Sequence, residues 1–213
     1  MSELFREIDE ELRRENFARL WKRFGLYIIG VVVAALLGAG IYVAWRGYEA
    51  RQRAAEGEQF QVAMNLLHAG KLKGAASAFE ELAQSGHERA VLARLEAAAI
   101  ATRQGDTAAA IRRYDGVAAD DTIDPAFRDL ATILAAQDSL AKGNPHRIIN
   151  QLQPLAEGSG PWQPSALELT ALAQLKAGDR KAAYATYRHL ADDLAAPPGM
   201  RSRAAEMVAV LAP

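Results

Sequence analysis

Four short segments of this chain repeat one another. Gly70 is followed by Ala75, Phe79 and Leu82, and Gly105-Asp106 by Ala110, Tyr114 and Val117. Gly143-Asn144 is followed by Ile148, Leu152 and Leu155, and Gly178-Asp179 by Ala183, Tyr187 and Leu190. The offsets from each glycine are five, nine and twelve, and the glycines lie 35, 38 and 35 residues apart. A fixed period of this size, with helical spacing inside each unit, predicts a helical solenoid. Each unit would bury its apolar face only against its neighbours.

The residue types agree with that reading. A glycine can close one helix in a left-handed conformation and turn the chain. Asp106, Asn144 and Asp179 can begin the next helix by accepting from its free amides. The small residue five positions on lets helices approach, and the bulky residues at nine and twelve fill the space between hairpins. The third copy departs most: Pro145 sits in its turn and Ile148 replaces the small residue, which predicts looser packing. Residues from Asp120 to Pro125 form an insertion, Gly158 to Pro164 a rigid loop, and Met200 to Leu211 a terminal helix that caps the stack.

The segments AGKLKGAASAFEEL, QGDTAAAIRRYDGV, KGNPHRIINQLQPL and AGDRKAAYATYRHL resemble the tetratricopeptide repeat, a unit of about 34 residues in two antiparallel helices. The resemblance covers Gly57 to Leu194, although the first helices lack the usual Trp and Tyr. It implies a protein-binding groove lined by the first helix of each repeat. Aligning on the turn glycine places Phe60, Met64, Leu92, Leu95, Ile133, Leu140, Leu172 and Leu175 near that surface. The same residues could instead be core, and both readings stand. Members that bind chaperone C-terminal carboxylates carry Asn and Lys at such positions. Phe60, Met64, Leu95, Ala99 and Ile133 stand there in this chain, so that clamp is not expected. An apolar groove suits an extended hydrophobic segment or a partner helix.

Leu26 to Trp45, LYIIGVVVAALLGAGIYVAW, holds twenty residues without a charge. As a helix it would be about 30 Å long, the hydrocarbon thickness of a bilayer. Trp21 and Tyr27 at one end, and Tyr42, Trp45 and Tyr48 at the other, suit the two interfaces. A buried core helix is the competing reading, but such runs are usually shorter. The preceding residues are acidic and too many for a cleaved leader. A transmembrane anchor is therefore expected. Gly30, Ala34 and Gly38 repeat every four residues on it, a spacing that lets two helices pack closely in lipid.

Arg13, Arg14, Arg19, Lys22 and Arg23 precede the stretch, while Arg46, Arg51 and Arg53 follow it. That bias puts the N-terminus in the cytoplasm. The expected division is a cytoplasmic amphipathic segment (1–25), a transmembrane helix (26–45) and a repeat domain (46–213) in the bacterial periplasm. The amphipathic stripe comprises Leu4, Phe5, Ile8 and Leu12, continued by Phe17, Leu20, Trp21 and Phe24. The absence of cysteine suits an oxidising compartment without requiring one.

An anchor followed by four divergent repeats is also similar to the YfgM-like proteins, ancillary subunits of the SecYEG translocon in the bacterial inner membrane. EELRRENFARLWKRFG before the span is the second part that resembles them. The resemblance implies partners among translocon subunits, periplasmic chaperones or exported proteins, and no catalytic residues.

With 25 basic and 26 acidic residues, the chain has no basic field to hold nucleic acid. His68, His87, His146 and His189 are scattered, and no thiol completes a zinc site. Asp120, Asp121 and Asp124 lack calcium-loop spacing. No phosphate-binding, dinucleotide or nucleophile motif is present. The chain reads as an all-α, non-enzymatic binding module without a cofactor. The alternatives are a self-associating envelope scaffold for division or outer-membrane assembly, a possible homo-oligomer, and an enzyme with an unrecognised site.

Overall fold

The computed structural model describes the backbone of residues 2–85 and 88–212 and the side chains of residues 27, 30, 31, 34–85 and 89–212. Among the described residues there are nine helices and no strand. They are α1 (Ser2–His68), α2 (Leu72–Ala83), α3 (Glu88–Arg103), α4 (Thr107–Ala118), α5 (Pro125–Ser139), α6 (Pro145–Glu157), α7 (Gln163–Lys176), α8 (Arg180–Asp192) and α9 (Pro198–Leu211). The expected all-α class holds. The chain divides into two units, residues 1–55 and residues 56–213.

In the first unit Tyr27, Val31, Leu36, Leu37, Ile41 and Val43 are exposed. Gly30, Ala34 and Gly38 are exposed too, and a Cβ added at either glycine would meet nothing within 4 Å. Among the described residues no helix is long and apolar enough to cross a membrane. Five residues of the uncharged stretch, Leu26, Ile28, Ile29, Val32 and Val33, have side chains outside that description. The amphipathic stripe expected over 1–25 also lies outside the described side chains.

The second unit is a stack of helical hairpins: the end of α1 with α2, α3 with α4, α5 with α6, and α7 with α8. Gly70, Gly105 and Gly178 turn three of them at φ of 71°, 85° and 85°. The amides after each turn bond back to the closing helix, as Asp106 N does to Ala101 O at 2.9 Å. Asp106, Asn144 and Asp179 accept from the amides of Ala109, of His146 and Arg147, and of Ala182. Each cap is worth about 1 kcal/mol. Lys71 occupies the same place before α2 without a side-chain cap.

The third turn differs from expectation, because Gly143 does not have a positive φ. Its amide instead bonds Ser139 O at 2.6 Å, and a Cβ on it would lie 2.6 Å from that same oxygen. Glycine is required there for space rather than for handedness. Pro145 and Pro164 belong to the first turns of α6 and α7 rather than to loops. Proline fits there because those amides have no intrahelical acceptor to lose.

The repeat offsets define the core. Ala75, Phe79, Leu82, Ala110, Tyr114, Val117, Ile148, Leu152, Ala183, Tyr187 and Leu190 are all buried, whereas Leu155 of the third copy is half-buried. Each core cluster joins one hairpin to the next first helix. Leu95, Tyr114 and Val117 meet Ala131 and Ala135 of α5, and Ile133, Ile148 and Leu152 meet Ala166 and Ala173 of α7. The first cluster adds an edge-to-face pair, Phe60 on Phe79, with centroids 5.3 Å apart at 71°. At the far end Leu167, Tyr187 and Leu190 pack on Ala204 and Leu211 of α9, so α9 takes the place of a fifth first helix. Within the third hairpin α5 and α6 approach over fewer residues than α3 and α4 or α7 and α8 do. The branched Ile148, standing where the other copies have alanine, is buried between α5, α6 and α7.

Candidate functional site

The first helices supply the surface on which the sequence places a binding groove. Two rows of equivalent positions run along it. Ten residues before each turn glycine stand Phe60, Leu95, Ile133 and Glu168, and six residues before it stand Met64, Ala99, Gln137 and Leu172. The two rows have different fates.

Leu95 and Ile133 are 7% and 6% exposed and lie in the cores just described. Small residues cause this: Ala131 and Ala135 let α5 cover Leu95, and Ala166 and Ala173 let α7 cover Ile133. Expected near a binding surface, these two residues present almost none. Phe60 and Met64 are half-buried against the Phe79 cluster, and Leu140 and Leu175 are half-buried against the clusters of Leu152 and Leu190. Leu92 and Leu172 are exposed, at 38% and 39%. Gln137 is exposed and Ala99 half-exposed in the same row as Leu172. The surface actually offered is therefore mixed, with isolated leucines beside polar groups.

Polar contacts between repeats follow the period. The Thr102 hydroxyl donates to Asp138 at 2.5 Å, Gln151 Nε2 to Asp115 at 3.3 Å and Trp162 Nε1 to Ala126 O at 3.0 Å, each across 36 residues. Lys176 Nζ donates to the carbonyls of Leu140 and Ala141 at 2.5 and 2.8 Å, covering the end of α5. A cation at a helix C-terminus is favoured there. These bonds tie each element to its counterpart one repeat on, and sequence reasoning missed them. The signal for them in the sequence is an offset of 35 or 36 residues between donor and acceptor.

Burial, with help from Asp138 and Glu96, pushes the Tyr114 phenol up to about 12. Burial and Glu168 raise Tyr187 in the same way. Both stay neutral and act as packing groups. The Asp120 carboxyl is held down at about 2, chiefly by its hydrogen bond from Arg94 and then by Thr122. Asp121 pairs with Arg128 at 2.7 Å and Asp124 caps α5 through Ala126 N at 2.8 Å, so each loop aspartate has a structural partner. His68, His146 and His189 are exposed on separate elements, while His87 lies outside the described residues. Among the described residues no group of three or more histidines, aspartates or glutamates is placed to hold a metal ion.

Stacked hairpins, repeat-spaced ties and a lined first-helix face describe a scaffold for contacts. The pattern of the tetratricopeptide repeat-like domain family matches residues 18–204. The chain belongs to that family. The match takes in the uncharged stretch as well as the tetratricopeptide-like repeats. Comparison with curated proteins finds no match. Membership makes protein–protein interaction the general role of the repeat-like domain, since such domains are generally non-catalytic binding modules.

Proposed function

We propose that this chain is a single-span inner-membrane protein whose repeat unit binds other proteins beside the Sec translocon. Residues 26–45 form the anchor, residues 1–25 a cytoplasmic segment, and residues 46–213 a periplasmic domain. The repeat face takes exported chains or periplasmic chaperones, in the manner of the YfgM-like ancillary subunits. The observation that carries the reading is the coupling, within one family match, of repeats to twenty uncharged residues. Their described large side chains, Val31, Leu36, Leu37, Ile41 and Val43 among them, are exposed. A row of exposed apolar groups of this length has no use in water. Gly30, Ala34 and Gly38 then form the face that packs on a translocon helix.

On the repeat unit Leu92 and Leu172 are the contact leucines, flanked by half-buried Phe60, Met64 and Leu140, while Leu95 and Ile133 hold α5 and α7 in place beneath. Purification of the full chain from solubilised membranes tests the reading. SecYEG subunits should accompany it, and Gly38→Ile should remove them without lowering the chain's own yield. A chain that recovers only further copies of itself would instead favour a self-associating envelope scaffold.

A further inference from the structure

A cleft of about 370 Å³ opens between α2, α3 and α4, apart from the leucines considered above. Ala83, Ala97 and Gly116 line it with small groups, and a Cβ at Gly116 would meet nothing within 4 Å. Three guanidinium groups, Arg94, Arg112 and Arg113, stand around these groups. Two of them already hold carboxylates of this chain. Arg113 pairs with Glu80 and also donates to Ala97 O at 3.0 Å, and Arg94 pairs with Asp120 at 2.7 Å while donating to Gly116 O at 3.1 Å. Arg112 is exposed and makes no hydrogen bond or ion pair among the described residues. The cleft thus has one guanidinium left over, beside an apolar recess.

We propose that this cleft binds an acidic, extended segment of a partner protein, with a carboxylate of the segment on Arg112 and a small apolar side chain in the recess. The proposal rests on the reading of the repeat unit as a protein-binding module. Charge selects the ligand, because a fork of donors matches a carboxylate. Size selects its conformation: one turn of a helix, about 10 Å wide and 5.4 Å long, would more than fill the cleft. Arg94 and Arg113 are fixed and charge-balanced by their own partners, so they shape the rim while Arg112 supplies the surplus positive charge.

The test uses the full chain in detergent and a fluorescent eight-residue peptide of two Glu-Glu-Ala-Ala repeats, which in an extended chain presents glutamate and alanine in turn on each face. Fluorescence anisotropy should show binding that weakens about tenfold or more in Arg112→Glu, consistent with one lost charge-assisted hydrogen bond. The same peptide with glutamine should not bind, and raised salt should weaken the glutamate peptide. Because Arg112 is exposed and makes no hydrogen bond or ion pair among the described residues, its variants should keep the wild-type circular dichroism and melting temperature. Equal binding to Arg112→Glu, equal binding of the glutamine peptide, or full displacement by millimolar inorganic phosphate would each overturn the proposal. Leu172→Glu separates this site from the first-helix face: peptide binding that survives in Leu172→Glu supports the cleft, and loss there assigns the peptide to the other face.

Discussion

Arg203 on α9 donates to both carboxylate oxygens of Glu168 on α7, from Nε at 2.9 Å and from a terminal nitrogen at 3.0 Å, across 35 residues. Glu168 stands ten residues before the last turn glycine, in the row of Phe60, Leu95 and Ile133. The stack therefore changes from an apolar to a charged contact where α9 closes it. Solvent reaches the pair, so its worth lies in register more than in energy. Leu211, buried on the same helix, carries the energy. Leu211→Ala should cost about 2–3 kcal/mol. Arg203→Gln should cost clearly less, and urea unfolding of the two variants checks the order.

The turn glycines separate into two classes that substitution should resolve. Gly105 and Gly178, at φ of 85°, should each lose about 1–2 kcal/mol as alanine, because a Cβ is strained in that conformation. Gly143→Ala should also destabilise, but through its collision with the Ser139 carbonyl, so that the end of α5 shifts. Amide exchange at Leu140 and Gly143 distinguishes the two causes. Gly116→Ala, in an open helical position of α4, should stabilise by about 0.5–1 kcal/mol.

Phe79 is fully buried and lies edge-to-face on Phe60. Phe79→Ala should cost about 3–5 kcal/mol. In a stack where each repeat contacts only its neighbours, the loss should stay local at low denaturant. Protection from amide exchange should fall in α2 and α3 and persist in α7 and α8.

The two shifted groups with values set the pH limits. Asp120 titrates at about 2 when folded against 3.8 ordinarily, so its contribution is complete above pH 3.8 and fades as pH falls toward 2. Asp120→Asn should flatten stability across that interval. Tyr114 behaves oppositely: its folded value of about 12 exceeds the ordinary 10, so the folded state keeps a proton the unfolded state releases. Stability should fall between pH 10 and 12, and Tyr114→Phe should remove that part of the fall in a pH series of thermal melts.

The hairpins were legible because they are written in local spacing. A glycine, a cap and residues at five, nine and twelve determine a turn and the face of one helix, and Asp106, Asn144 and Asp179 cap as their types require. Longer-range distances were not legible in the same way. Whether Leu95 is surface or core depends on how closely α5 approaches, which is fixed by Ala131 and Ala135 some forty residues away. The same alignment on glycine therefore placed Leu95 and Leu172 on one surface, although the structure buries the first and exposes the second. Gly143 shows the limit from another side, since its residue type was read correctly but its cause was a carbonyl four residues back.

Site-specific photo-crosslinking in native membranes tests the proposed role most directly, with one probe at Gly38 in the uncharged stretch and another at Leu172 on the repeat unit. Capture of a translocon subunit at Gly38, together with exported chains or periplasmic chaperones at Leu172, is the expected result. Capture at Gly38 of only a second copy of the chain, with nothing exported at Leu172, would contradict it.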